Sequence, residues 1–131
     1  MTEDPRMTRD QFIRRIDALA AAWTSGDASG AAAHFAERVD YRDPRSYRFR
    51  TRDELLPFFE PPPGGHRCVI HSALFDEPAQ AGAVEYTYEG DHRYHGTAIV
   101  SIDADGLIDG WREWQHVDDE RDWDAFLDQQ P

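Results

Sequence analysis

The sequence predicts an α+β fold, and two observations carry that expectation. Residues 8–37 place apolar side chains at three- and four-residue steps, the period of a helix. Residues 66–117 hold four runs rich in β-branched and aromatic types, separated by turn signals. Helices come first and strands follow, without the strand–helix alternation that builds a parallel sheet. A chain of 131 residues fits one domain, 1–131, with its core expected at about 8–117.

Taken in order, Phe12, Ile16, Leu19, Ala20 and Trp23 make one apolar helix face behind a capping Thr8 or Asp10. Ser25-Gly26-Asp27 stops this helix, and an alanine-rich second helix is expected through Ala31, Ala32 and Phe35 to about Glu37. Val39 to Asp43 reads as a short strand ended by Pro44, with Tyr47-Arg48-Phe49 as its return. Thr51 followed by Glu54 is a capping-box pattern that opens a helix through Leu55, Leu56, Phe58 and Phe59, closed by Pro61-Pro62-Pro63-Gly64-Gly65. Runs near 66–76, 82–89, 93–103 and 107–117 then form an antiparallel meander. Several are apolar or aromatic at both odd and even positions, so neither sheet face is expected to be freely solvated: one holds the helices, the other a dimer partner. Trp123, Phe126 and Leu127 predict a short C-terminal helix at about 121–128.

Composition excludes several chemistries. All 14 basic residues are Arg, against 26 acidic ones, giving a net charge of −12 that disfavours a nucleic-acid surface. Without Lys there is no Schiff-base lysine, no lysine general base and no Walker-type phosphate loop. Without Asn there is no glycosylation sequon, and the single Cys68, best read as a small buried hydrophobe, has no disulfide partner. With a polar N-terminus and no long apolar run, neither signal peptide nor membrane anchor is expected, and a cytoplasmic compartment is.

The helix, the Ser-Gly-Asp break, the run Phe35-Ala36-Glu37-Arg38-Val39-Asp40-Tyr41-Arg42-Asp43-Pro44, the third helix and a meander ending in Gly110-Trp111-Arg112-Glu113-Trp114 follow one another in a recognisable order. In this order the chain resembles the nuclear transport factor 2-like superfamily, and within it the SnoaL-like domain proteins, over about residues 8–117. The resemblance implies a cone-shaped, curved mixed or antiparallel sheet wrapped around the N-terminal helices, the cystatin-like α+β roll. It further implies a mostly apolar small-molecule cavity and a homodimer packed through the sheet. Members include ketosteroid isomerases, polyketide cyclases, epoxide hydrolases and non-catalytic binders, so the activity has to come from the pocket residues.

Three residues are expected to carry acid–base chemistry. Asp43 shares a strand side with Tyr41, and in the isomerase branch a matching Asp-Pro carries the general base; the other reading is an Asp opening a turn before Pro44. Glu113 shares a face with Trp111 and Gln115 and matches the proton-donating acid of the epoxide-hydrolase strand; the other reading is an ion pair with Arg112 or Arg93. His95 shares strand parity with Thr97 and Ile99, which by the resemblance faces the cavity, where a pairing with Glu113 would make a base. Tyr41, Tyr86, Tyr88, Trp111, Trp23 and Phe58 are the expected ligand-contacting residues, and His71 is a weaker candidate. The isomerases' Tyr and Asp oxyanion pair falls at Leu19 and near Ala98 or Ile99, and the hydrolases' Arg-x-Asp falls at Tyr86-Thr87-Tyr88, so neither constellation is complete. No metal site and no cofactor are expected.

The function expected is therefore a cofactor-independent isomerase, cyclase, dehydratase or hydrolase acting on a hydrophobic small molecule. The alternative is a non-catalytic module of the same fold that binds a small molecule in the cavity or a protein through the sheet, and a third reading is a structural dimer with a collapsed core.

Overall fold

The computed structural model describes residues 6–44 and 46–117; the expected C-terminal helix lies outside them. Helix α1, Arg9–Thr24, starts at the capping box of Thr8 and Gln11 and buries Phe12, Ile16, Leu19, Ala20 and Trp23, the predicted stripe. Helix α2, Ala28–Ala32, is a single short turn capped by Asp27. It ends well before the expected Glu37, because Phe35 already begins strand β1, Phe35–Asp43. The Ile108 amide bonds the His34 carbonyl there, which draws the chain into the sheet just after the helix. Strand β2, Tyr47–Thr51, returns along β1, and helix α3, Arg52–Phe59, opens at the predicted Thr51/Glu54 capping box and buries Leu55 and Phe59.

The meander consists of β3, Arg67–Asp76, β4, Ala81–Glu89, β5, Arg93–Ile102, and β6, Ile108–Val117. All six strands form one sheet in the order β2-β1-β6-β5-β4-β3. Its neighbours are antiparallel except β1 and β6, which run parallel with Tyr41 beside Trp111, so the sheet is mixed. Register irregularities interrupt β1 between Phe35 and Asp40 and β3 between Ile70 and Ser72. Such bulges bend strands and raise their twist, which suits a sheet curved over helices.

The helices cover one face. Phe12 stacks on Phe75 with ring centroids 4.5 Å apart, and the Cys68 amide donates to Thr24 Oγ1 at 3.0 Å, tying α1 to β3 at both ends. Phe35 is fully buried where α3, β1 and β6 meet, against Tyr41, Phe59 and Trp111. Truncating an aromatic so enclosed costs about 3–5 kcal/mol. The opposite face leaves Leu74, Ile99 and Trp114 exposed. No helix among the described residues is long and apolar enough to cross a membrane.

Candidate active site

Sheet register decides which side chains meet. Directly paired residues share a face, and β5 sets Gly96 beside Gln115, Ala98 beside Glu113 and Val100 beside Trp111. The continuation onto β4 sets Tyr86 beside Gly96 and Tyr88 beside Tyr94. The inner face of the meander thus carries Tyr86, Tyr88, Tyr94, Trp111, Glu113 and Gln115, while β1 adds Tyr41.

These residues line a cavity of about 430 Å³, within the range of small-molecule sites. Trp23 from α1 and Phe58 and Phe59 from α3 supply further wall. Gly96 gives Tyr86 its place: a Cβ built there would lie 2.5 Å from the phenol Cζ, so only glycine lets this ring lie across β5.

Glu113 is the polar centre. It is 2% exposed and accepts hydrogen bonds from three side chains. Tyr47 donates to Oε1, Tyr86 to Oε2, and Trp111 Nε1 also to Oε2 at 3.1 Å. Gln115 Nε2 in turn donates to the Tyr86 hydroxyl at 3.0 Å. Burial raises the Glu113 carboxyl above its ordinary value; the three donors oppose this by favouring the ionised form, and the charge of Asp43 adds to the rise. Burial and the nearby carboxylate likewise push Tyr41, Tyr47 and Tyr86 well above the usual phenol range, so all three stay protonated as donors. Tyr88 is pushed up to about 12, mainly by burial, and its hydroxyl pairs with His66 Nδ1 at 2.8 Å. Burial raises the Cys68 thiol to about 12, which keeps it a neutral wall group.

The expected ligand-contacting residues Tyr41, Tyr86, Tyr88, Trp111, Trp23 and Phe58 all lie in the cavity wall, as does Glu113. Asp43 does not. It sits past the end of the wall, in a surface depression with Arg42, Pro44, Ser46 and Arg48, while its register partner Tyr47 reaches Glu113 in its stead. The cavity-facing expectation for His95 is corrected: it points to the other side of the sheet. There Thr87 Oγ1 lies 3.1 Å from His95 Nδ1 and 2.7 Å from His71 Nε2. The reason is parity. Once Glu113 faces inward its partner Ala98 must too, so His95 and Thr97 face outward.

Tyr47, His66 and Tyr94 are cavity residues that sequence reasoning missed. Tyr47 was within reach of it, because a tight hairpin over 43–47 puts Tyr47 and Phe49 on the face of Tyr41. Among the described residues no group of three His, Cys, Asp or Glu side chains is placed to hold a metal ion.

The model of the SnoaL-like domain matches residues 16–111. The chain belongs to the SnoaL-like domain family. No curated protein matches it in sequence. Among solved structures, a cystatin-like protein of unknown function from Methylobium petroleophilum PM1 aligns with a TM-score of 0.77 at 18% identity, over 93% of each chain. An LEH-like epoxide hydrolase of M. tuberculosis aligns at 0.67 and 21% identity, over 79% of this chain and 81% of its own. A proposed ketosteroid isomerase from Kribbella flavida DSM 17836 aligns at 0.70 and 23%, over 86% and 83%. At these identities the likeness establishes the nuclear transport factor 2-like fold, the α+β roll expected from the sequence.

Proposed function

We propose that this SnoaL-like protein is a cofactor-independent acid–base enzyme acting on a hydrophobic small molecule, with Glu113 as the group that moves the proton. One observation carries the reading: a buried carboxyl, raised above its ordinary value, at the centre of an otherwise aromatic cavity. Oε2 already holds two donors and Oε1 only one, so the remaining acceptor position belongs to Oε1. There Glu113 takes a proton from the carbon beside a carbonyl and returns it to another carbon, or protonates an epoxide oxygen as a water molecule adds to the ring carbon and breaks its C–O bond, the water's proton returning to Glu113. Tyr41 is stacked against Trp111 and donates no hydrogen bond to any described residue, which leaves its hydroxyl for the substrate oxygen where negative charge develops. Epoxide-hydrolase and isomerase relatives of the same fold fit this class of reaction.

The test is proton exchange. Small cyclic ketones in D₂O are followed by NMR for deuterium uptake beside the carbonyl, and small epoxides for ring opening. The wild-type protein should accelerate one of the two, and Glu113→Gln should lower that rate by about 10²-fold or more. Equal rates for the two proteins would refute the role of Glu113. A second reading, a binding module, is favoured by the three hydrogen bonds that Glu113 already accepts. It predicts ligand binding without exchange.

The same proposal includes a homodimer formed through the outer sheet face, supported by the exposed Leu74, Ile99 and Trp114 there. The reduced, buried Cys68 suits a cytoplasmic location.

A further inference from the structure

The cavity is selective in charge as well as in shape. Its wall includes nine aromatic rings, among them all five tyrosines of the chain. Its ionisable wall groups include the buried Glu113, the exposed Glu60 and Asp91, which mark the mouth, and the imidazoles of His66 and His92. The chain is rich in arginine, yet none of the described arginines lines the cavity. Glu60 and Asp91 take part in no ion pair among the described residues. Asp91 stands close enough to Tyr88 to raise its phenol, and Tyr88 and Tyr94 place their ring centroids 6.0 Å apart beside it.

We propose, resting on the cavity reading above, that the ligand is a cation: an apolar amine or quaternary ammonium whose ring lies against the inner wall and whose charged nitrogen sits at the mouth. Aromatic faces attract such a cation through the ring quadrupole, and more strongly when water is excluded. The carboxylates Asp91 and Glu60 supply the opposite charge that a partly desolvated ammonium requires. A net charge of −12 raises the local concentration of cations around the whole molecule. An anionic ligand meets the reverse: the two exposed carboxylates Glu60 and Asp91, no described arginine, and a repelling net field. The nitrogen remains at the mouth while the reacting end reaches Glu113. From the level of Val84, which is aligned with Glu113 through Ala98, to the level of Tyr88 is four residues, about 13 Å of strand. That length suits a one- or two-ring amine.

Three probes of one shape isolate charge: phenyltrimethylammonium, tert-butylbenzene and benzenesulfonate. Binding to the full chain is read by calorimetry and by quenching of tryptophan emission, Trp23 and Trp111 being wall residues. The proposal expects the ammonium to bind at least as tightly as the hydrocarbon and at least tenfold more tightly than the sulfonate. It also expects Asp91→Asn to weaken the ammonium several-fold while leaving the hydrocarbon unchanged. A sulfonate that matches the ammonium, a hydrocarbon that exceeds it, or an ammonium indifferent to Asp91→Asn overturns the proposal. In any of these three cases, if the hydrocarbon binds and Glu113-dependent exchange is present, only the charge inference falls. If no probe binds, the small-molecule reading of the cavity falls with it.

Discussion

Tyr86→Phe removes one oxygen from the centre of the cavity network and almost no volume. That hydroxyl donates to Glu113 Oε2 and accepts from Gln115, so two buried hydrogen bonds disappear together. A bond to a charged or partly charged group contributes about 1.5–3 kcal/mol and a neutral one about 1 kcal/mol. Glu113 keeps Tyr47 and Trp111, so its carboxyl is left poorer by one donor and not abandoned. The expected loss is about 2.5–4 kcal/mol, which in a domain of this size lowers Tm by roughly 9–14 °C. The single variant does not separate the Glu113 bond from the Gln115 bond. A double-mutant cycle with Glu113→Gln does, by urea unfolding at neutral pH, and should return a coupling of about 2 kcal/mol between positions 86 and 113. A coupling below about 0.5 kcal/mol would mean that the two side chains act independently, and the network as described would be wrong.

Gly96→Ala should cost about 1–3 kcal/mol, because its Cβ would fall 2.5 Å from Tyr86 Cζ, and the cost should largely vanish in a Tyr86→Ala background; comparing the thermal midpoints of the four proteins checks this. Glu113 gives stability a specific dependence on pH. Its folded value is raised above 4.5, so the folded state keeps a proton that the unfolded chain has released. Its contribution is therefore whole below about pH 4.5 and declines as pH rises through the folded value. Glu113→Gln cannot ionise, so its stability relative to wild type should improve as pH rises above 4.5 through the folded value in urea titrations, and parallel curves would contradict the assignment. Light scattering after size exclusion should give about twice the 15.1 kDa chain mass, and Trp114→Glu should return the single-chain mass without unfolding.

Local signals in the sequence were sufficient for the local structure. The Thr8 and Thr51 caps, the Phe12-to-Trp23 stripe and the Gly-containing turns each act within a few residues, and each element they announce is present. What failed depended on contacts distant in sequence. Alanines 31–33 favour helix, but Phe35 is held by β6, some seventy residues on, and so α2 stops at Ala32. His95 failed for a related reason: strands with aromatic or apolar residues at both parities do not declare their inner face, and only pairing to Glu113 through Ala98 does. Asp43 had the right strand and the right parity but lies one step beyond the wall, where Tyr47 crosses from β2 to occupy the place beside Glu113.

The opposing influences on Glu113 are what make it suited to chemistry. Burial alone would hold the carboxyl neutral, and three donors alone would hold it ionised. Because both act, a single added or removed interaction at Oε1 shifts the balance. A ligand that closes the cavity and expels water strengthens the burial effect and makes Glu113 a better base, whereas a cation nearby favours the ionised form and makes it a better acid once protonated. Tyr47 adjusts the same balance from outside the meander, since β2 is an edge strand of the sheet and Tyr47 carries its bond into the centre among the described residues. Movement of the β1–β2 hairpin would therefore reach the Glu113 carboxyl directly, by withdrawing one donor from Oε1, the atom proposed to exchange the proton.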